Sequence, residues 1–204
     1  PKYSTEYFTG PLFRDGPTAT DVKQGSLANC YFCAAVSAIA NTDPQRIRNM
    51  IKDNGDGTFT VTFKQKRWWG NYREKKVTVD SDIVVRSNGG RPLYGSSMDG
   101  PSTPAEMEKW FAIVEKAYAK LHGNSYDNIG NGGRASDVFD AFMGVSTSNY
   151  NVTDSSKERV FQRIKEAQQK GWPVTAATYG KDSDEASRYP GTRLYPWHLY
   201  TVLG

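Results

Sequence analysis

Residues 24–40 read QGSLANCYFCAAVSAIA and contain both cysteines of the chain, Cys30 and Cys33. From Cys30 onward the apolar residues recur at the i, i+3, i+4, i+7 spacing, which predicts a helix that begins there. Cys30 would then lie in the first turn, where exposed N–H groups and the helix dipole favour a thiolate. Cys33 lies one turn further on beside alanines and a valine, so we expect a small buried hydrophobe there.

Further helices are predicted from their start signals. Residues 103–106 read TPAE, a capping box with Pro at the first helical position, and the apolar face that follows extends to Leu121. A second capping box at 155–158 predicts a helix that ends near Lys170. A short helix is expected from Pro44.

Strand patterns lie between and after these helices. Residues 58–63 read TFTVTF, and a second strand over 76–85 could pair with them. Further strands are predicted over 174–179 and from His198. The chain is therefore expected to be mainly helical with a hairpin at first, and then a helix with strands.

Two units follow from this division, residues 1–144 and residues 145–204, with Gly144 as the candidate hinge. The length of 204 residues suits one domain or two small ones, and 37% hydrophobic with 13% aromatic residues argues against disorder. No apolar run approaches the roughly 18 residues that a membrane span needs.

The basic residues are densest between Lys64 and Lys76, in a chain with 26 basic and 22 acidic residues. This stretch also holds Trp68, Trp69 and Tyr72, which could stack on nucleic-acid bases. The alternative is a solvated hairpin whose aromatic side chains pack against the body of the protein. We favour the hairpin and predict no nucleic-acid partner.

The cysteines and histidines restrict the chemistry of a site. Two cysteines are too few for a disulfide framework, and no ligands are spaced to complete a zinc site with Cys30 and Cys33. A redox pair and a single reactive Cys with a distant His both remain open. His198 follows an aromatic loop and could face a cleft, whereas His122 at a helix end is expected to cap that helix. From the residues alone, Cys30 and His198 are either a reactive pair or two structural residues.

Three blocks of the chain resemble the calpain-type cysteine proteases. Residues 15–30 end in QGSLANC and resemble the segment around the family's nucleophile, Gln-Gly-x-Leu-Gly-Asp-Cys-Trp. Residues 110–126, WFAIVEKAYAKLHGNSY, resemble its Trp-x-x-Leu-Leu-Glu-Lys-Ala-Tyr-Ala-Lys-x-x-Gly-x-Tyr helix. Residues 198–202, HLYTV, resemble Gly-His-Ala-Tyr-x-Val. The blocks occur in family order, and the similarity spans nearly the whole chain.

The resemblance implies a papain-like α+β fold, with a helical first subdomain, a β-containing second one and a cleft between them. It implies peptide-bond hydrolysis through a thiolate acyl-enzyme, with protein or peptide substrates, and we expect a cytoplasmic location. Cys30 matches the nucleophile, His198 the general base and then acid, and Gln24 the side-chain oxyanion donor beside the Cys30 N–H. Gly132 matches a loop glycine whose backbone contacts substrate.

A calcium ion, structural or regulatory, is also implied by the resemblance. Its ligands match the carboxylates of Asp21 and Glu108 and the backbone carbonyls of Arg14 and Gly16. Calcium prefers such hard oxygen donors. The alternatives are a turn-forming role for Asp21 and a solvated helix charge for Glu108.

The chain also departs from the family pattern. Ala28 and Asn29 replace Gly-Asp before the nucleophile, and Tyr31 replaces the following Trp. Trp197 stands where the family has a glycine whose backbone lies along the substrate, so we expect it to contact substrate and narrow the cleft. Ala19 replaces an Arg that helps to couple calcium to subdomain closure, which puts calcium gating in doubt.

The family's third catalytic residue, an Asn that orients the histidine, follows in an Asn-Pro-Trp motif. The chain ends six residues after His198, so we expect the C-terminal part of the protease core to be missing. One alternative function is a weak or inactive protease-like binding or scaffold module. Another is a thiol–disulfide exchanger using Cys30 and Cys33, although the strand that precedes such a motif in thioredoxin-like proteins is lacking.

Overall fold

A helix that is buried on all sides forms the centre of the structure, a computed structural model that describes residues 2–87, 90–98, 103 and 105–204. This helix, α1 (Cys30–Thr42), buries every residue from Tyr31 to Ala40. The small side chains of its sequence allow other elements to pack around it, as expected for a helix without a polar face. The helix predicted from Cys30 is therefore confirmed.

The helix α3 (Trp110–Leu121) packs beside α1 through aromatic side chains. The rings of Phe32 and Tyr118 lie 4.7 Å apart between centroids, and those of Phe32 and Phe111 lie 5.9 Å apart. All three side chains are at most 2% exposed. Burial of rings of this size gives the core much of its apolar area.

The prediction that α3 begins at Thr103 is wrong. Thr103 Oγ1 and Glu106 Oε2 do form a capping contact of 2.8 Å, but the turn does not continue into the helix. The N–H groups of Lys109 and Trp110 instead donate to carbonyl groups of the N-terminal segment, each at 3.1 Å. This tertiary pairing delays the helix until Trp110. Pro104, the expected first helical residue, lies outside the described residues.

The described strands form four small antiparallel sheets. The largest has the order β3-β4-β5, and its strand β4 turns Phe59, Val61 and Phe63 towards α1 and α3. The predicted second strand over 76–85 is divided at Ser81, because its two parts pair with different partners. The strands are β1 (Tyr3–Tyr7), β2 (Val22–Lys23), β3 (Ile51–Asp53), β4 (Thr58–Lys66), β5 (Tyr72–Asp80), β6 (Asp82–Arg86), β7 (Ser96–Ser97), β8 (Thr175–Ala177) and β9 (Leu199–Thr201).

The outer half of the β4–β5 hairpin projects beyond the core. Trp68 is 91% exposed and Trp69 is 51% exposed. The expectation that the aromatic side chains of this hairpin pack against the body is therefore wrong for both tryptophans. Tyr72 alone reaches inward, where its hydroxyl donates to Asp140.

Three more helices complete the structure. The helix α2 (Pro44–Met50) begins as predicted, whereas α4 (Ala135–Met143) lies in a region where no helix was predicted. The helix α5 (Lys157–Gln169) is capped by Ser156, one residue after the Ser of the predicted capping box. None of the described helices is long and apolar enough to cross a bilayer.

Gly144, the candidate hinge, ends α4 in the left-handed conformation with φ of +67°. No residue from 143 to 204 is buried, so the last third of the chain has no core of its own. Its strand β9 instead packs on α1, where Thr201 Oγ1 donates to the carbonyl of Ala34 at 2.8 Å. The division into 1–144 and 145–204 stays a prediction.

Candidate active site

Cys30 is the first residue of α1 and is partly exposed, unlike the residues that follow it. The carbonyl of Asn29 accepts from the N–H groups of Phe32 (2.9 Å) and Cys33 (3.1 Å), which closes the first turn beneath it. The thiol therefore lies in the first turn of the helix, at the positive end of the helix dipole.

His198 is held by its backbone at the entrance to β9. Its N–H donates to Thr178 Oγ1 at 2.9 Å, and its carbonyl accepts from the Thr178 N–H at 2.9 Å. The imidazole packs edge-on against the ring of Tyr200, with 4.8 Å between centroids. Among the described residues no side chain forms a hydrogen bond with the imidazole nitrogens.

An open cleft of about 210 Å³ is lined by residues of both α1 and β9. Cys30, His198 and Gln24 all line it, so the structure brings together the three predicted catalytic residues. Beside the cleft, the hydrogen bond from the Thr201 hydroxyl to the Ala34 carbonyl joins β9 to α1.

Gln24 lies in the loop before α1, and its side-chain amide is already oriented. Its Nε2 donates to the carbonyl of Leu27 at 2.6 Å, which leaves the second N–H of that group for a ligand. The next residue is Gly25, where the chain passes close to the backbone of Tyr94. A Cβ atom on Gly25 would lie 2.4 Å from the Tyr94 carbonyl group, so a larger residue would require the backbone there to shift.

The loop that carries Gly132 is hydrogen-bonded to the segment before Cys30. The Gly132 N–H donates to the carbonyl of Ala28 at 2.9 Å, and its φ of +79° is one that favours glycine. The ring of Tyr31 packs on Gly133, where an added Cβ would come within 2.6 Å of it. Gly132 does not line the cleft itself, but its loop lies beside the nucleophile segment.

Trp197 has a φ of +57°, a left-handed backbone conformation that favours glycine. Its side chain is 72% exposed and lies against Gly180, where an added Cβ would be 2.6 Å from the indole ring. Trp197 is not among the residues that line the cleft. The expected narrowing of the cleft by this side chain is therefore absent from the described structure.

A series of buried hydrogen bonds lies behind the nucleophile, and the sequence analysis did not predict it. Asn29 Nδ2 donates to Glu115 Oε1 at 2.7 Å, the Gly95 N–H donates to Glu115 Oε2 at 2.7 Å, and the Cys33 thiol donates to Asn29 Oδ1 at 3.7 Å. Burial raises the pKa of Glu115 to about 7, and burial also raises the pKa of the Cys33 thiol. Cys33 is therefore a structural thiol, which argues against a redox pair with Cys30.

The predicted calcium ligands lie in two segments that contact each other. The carboxylate of Asp21 accepts from the Thr18 hydroxyl (2.8 Å), the Thr18 N–H (2.7 Å) and the Trp110 indole N–H (3.1 Å). Two residues before Trp110, the carboxylate of Glu108 accepts from the Arg14 N–H at 3.0 Å. Asp21 and Glu108 are each 2% exposed, so Glu108 is not the solvated helix charge of the alternative hypothesis.

These oxygen atoms fit calcium, because the ion accepts carboxylate and carbonyl ligands with flexible geometry. The carbonyl groups of Arg14 and Gly16 belong to the same N-terminal segment. Within the part of the chain that is described, no group of three or more His, Cys, Asp or Glu side chains could hold a metal. Any ion at Asp21 and Glu108 would thus need backbone or water oxygens as well.

His122 takes the predicted structural role. Its Nδ1 lies 2.9 Å from the carbonyl of Tyr118, and its backbone N–H also bonds back into the last turn of α3. It caps that helix.

The family model described as calpain family cysteine protease matches residues 2–204. The chain belongs to the calpain family of cysteine proteases. The resemblance and the α+β fold that it implied are therefore confirmed. Similar proteins include Calpain-2 catalytic subunit of Gallus gallus, 29% identical over 98% of this chain, and Calpain-5 of Caenorhabditis elegans, 29% identical over 94% of it.

Calpain-9 of Mus musculus is 26% identical over 93% of the chain. The chain spans only 26% of the length of Calpain-9, 27% of Calpain-2 catalytic subunit and 30% of Calpain-5. The match therefore identifies the calpain-type core but not the full set of activities of these longer relatives.

Proposed function

We propose that the chain is the core of a cysteine endopeptidase in which Cys30 and His198 carry the reaction. The observation that supports this most directly is the shared cleft, with Cys30 at the start of a buried helix and His198 across from it. A thiolate nucleophile and an imidazole base on opposite walls are what acyl transfer requires.

The first step transfers the proton of Cys30 Sγ to the imidazole of His198. The thiolate then attacks the carbonyl carbon of the peptide, and the oxyanion accepts hydrogen bonds from the Cys30 N–H and the Gln24 side-chain N–H. His198 returns the proton to the leaving amine as the C–N bond breaks. Water, deprotonated by His198, then hydrolyses the acyl-enzyme and restores the thiol.

The substrates would be proteins or peptides that lie extended across the cleft. Gly132 can present its backbone to them, because its loop lies beside the nucleophile segment and an added Cβ would meet no atom within 4 Å. Trp197 would contact substrate residues at the rim, next to His198 in the chain. A cytoplasmic location is compatible with the two free cysteines.

We also propose that Asp21 and Glu108, with the carbonyl oxygens of Arg14 and Gly16, bind calcium. An ion there would supply positive charge to two buried carboxylates. The ion would then add to the hydrogen bonds that already join the N-terminal segment to the start of α3. This site would stabilise the loop that leads to Gln24 and Cys30.

A binding or scaffold module is the second candidate function. It is favoured by the His198 imidazole, which forms no hydrogen bond with any described side chain. A histidine without an orienting partner is a less effective catalyst, because its tautomer and position are less fixed.

An epoxide inhibitor of thiol proteases separates the two candidates. We expect the epoxide to modify Cys30 covalently, and the chain to cleave an unfolded protein substrate at a rate that Cys30→Ala abolishes. Cys33→Ala is the matched control and should keep the labelling. Absence of both labelling and cleavage in the parent chain would support the scaffold function instead.

A further inference from the structure

The excess positive charge of the chain is concentrated on one hairpin. Residues 64–76 hold six basic side chains and one acidic side chain, a formal net charge of +5, whereas the whole chain carries +4. The remaining residues therefore carry a net charge of −1. The only ion pair that involves the described side chains of this segment joins Lys64 and Glu74 at 3.4 Å, so most of the positive charge faces solvent.

Two tryptophans stand at the tip of the same hairpin. Trp68 and Trp69 are consecutive, exposed and arranged edge to face, with 5.2 Å between ring centroids. Phe63 is the last buried residue of β4, so Trp68 lies five residues beyond the core, a reach of roughly 15 Å for an extended strand. Aromatic side chains in this position cannot contribute to the core.

The hairpin is held rigidly along its length. The backbone of Arg67 bonds to Asn71 and Gly70 to close the turn, and the guanidinium of Arg73 donates twice to Gln65 across the strands, at 3.0 and 2.8 Å. Nearer the core, the hydroxyl of Tyr72 donates to Asp140 of α4. These hydrogen bonds restrain the backbone of the tip relative to the core.

We propose that the tip of the β4–β5 hairpin docks the chain on the surface of an anionic lipid bilayer. Trp68 and Trp69 would enter the interfacial region, where indole rings are enriched, and Lys66 and Arg67 would lie over the headgroups. An apolar insertion and a basic cluster together supply the two signals that stable peripheral binding needs.

The geometry of the tip favours a bilayer over nucleic acid. Bases stack on exposed aromatic faces along a basic groove. Here the two indole planes are 85° apart, and the guanidinium of Arg67 lies 5.0 Å from the centroid of the Trp69 ring, where it covers one face. A convex tip with perpendicular rings fits an interface into which it can insert.

The test is cosedimentation of the 204-residue chain with phosphatidylcholine vesicles that contain phosphatidylserine, and with pure phosphatidylcholine vesicles. We expect binding to the anionic vesicles only. Trp68→Ala with Trp69→Ala should weaken it by about tenfold for each ring, the scale of burying a large apolar side chain. Lys66→Gln with Arg67→Gln should weaken it by about fivefold for each charge removed.

Two matched control variants change residues on α5 and just after it. Trp172 is 54% exposed and carries the ammonium of Lys170 over its ring, as Trp69 carries Arg67, so Trp172→Ala should leave vesicle binding unchanged. Lys157→Gln with Lys165→Gln removes two exposed charges from another surface and should also have little effect.

Three outcomes would overturn the proposal. The first is absence of binding to the anionic vesicles, and the second is equal binding by the parent chain and the double tryptophan variant. The third is binding of a single-stranded oligonucleotide, but not of vesicles, that depends on Trp68 and Trp69. Unchanged thermal melting of the variants would exclude unfolding as the cause of any loss, since both tryptophans lie outside the core.

Discussion

Replacing Glu115 by Gln should change how the stability of the fold depends on pH. Glu115 is 1% exposed, and burial raises its pKa from the ordinary 4.5 to about 7, against the hydrogen bonds from Asn29 and Gly95 that favour the charged form. The folded state therefore binds the carboxyl proton of Glu115 more tightly than the unfolded state does. The free energy of unfolding should fall as the pH rises from 4.5 to about 7.

The size of the effect follows from the shift in pKa. A rise from 4.5 to about 7 corresponds to about 3 kcal/mol, since each pH unit is worth about 1.4 kcal/mol for one proton. Gln cannot ionise, so its contribution to stability does not depend on pH. Its single side-chain oxygen can accept from only one of the Asn29 and Gly95 N–H groups, and the other, unsatisfied donor costs roughly 1–3 kcal/mol at every pH. The difference in unfolding free energy between Glu115→Gln and the parent should therefore move by about 3 kcal/mol in favour of the variant.

Urea titrations of the two proteins at a series of pH values from about 4 to about 8 measure this difference, and other titrating groups cancel. Glu166→Gln is the control, because Glu166 is exposed and ion-paired with Lys170, and hydrogen bonding to that ammonium lowers its pKa. The difference in unfolding free energy between Glu166→Gln and the parent should not change with pH above 4.5. A constant difference for Glu115→Gln over the same range would refute the reasoning, since Glu115 would then not titrate there.

Brief iodoacetamide treatment near neutral pH should label Cys30 and spare Cys33, which is 8% exposed; mass mapping that finds the label on Cys33 would contradict this. Calcium should raise the melting temperature, by the equivalent of about 2.7 kcal/mol at a hundred times the dissociation constant, and Asp21→Asn should remove the rise; identical melting in calcium and in chelator would exclude the site. Gly25→Ala should cost about 1–3 kcal/mol because its Cβ would meet the Tyr94 carbonyl, and urea titration with no loss of stability would show that the backbone there can move.

The parts of the fold that were predicted are those with a strong local pattern. The helix α1 follows from the helical spacing of its apolar residues, and the strand at 58–63 follows from its alternation. The start of α3 was misplaced because Lys109 and Trp110 bond to a segment about a hundred residues earlier. The helix α4 was missed although its apolar positions Val138, Phe139 and Phe142 have helical spacing.

The candidate site, too, could be predicted only where a local sequence pattern marks it. Cys30 and His198 could be nominated from their types and surroundings, but the contact of Asn29 with Glu115 spans 86 positions and has no local signature. The exposure of Trp68 and Trp69 was mispredicted because an aromatic residue at a turn packs inward or projects outward according to what lies beneath it. Only the placement of β4 against the core decides that question here.

From the docking of β9 on α1 we also expect a particular order of assembly. The hydrogen bond between Thr201 and Ala34 closes a loop of 167 positions, and the last third of the chain has no core of its own to hold it meanwhile. Contacts between residues so far apart in the sequence form more slowly than local ones. During refolding, the aromatic core around Phe32 and Tyr118 can therefore form first, and His198 reaches Cys30 in a late step. Regain of activity would then lag behind regain of the native fluorescence of the core.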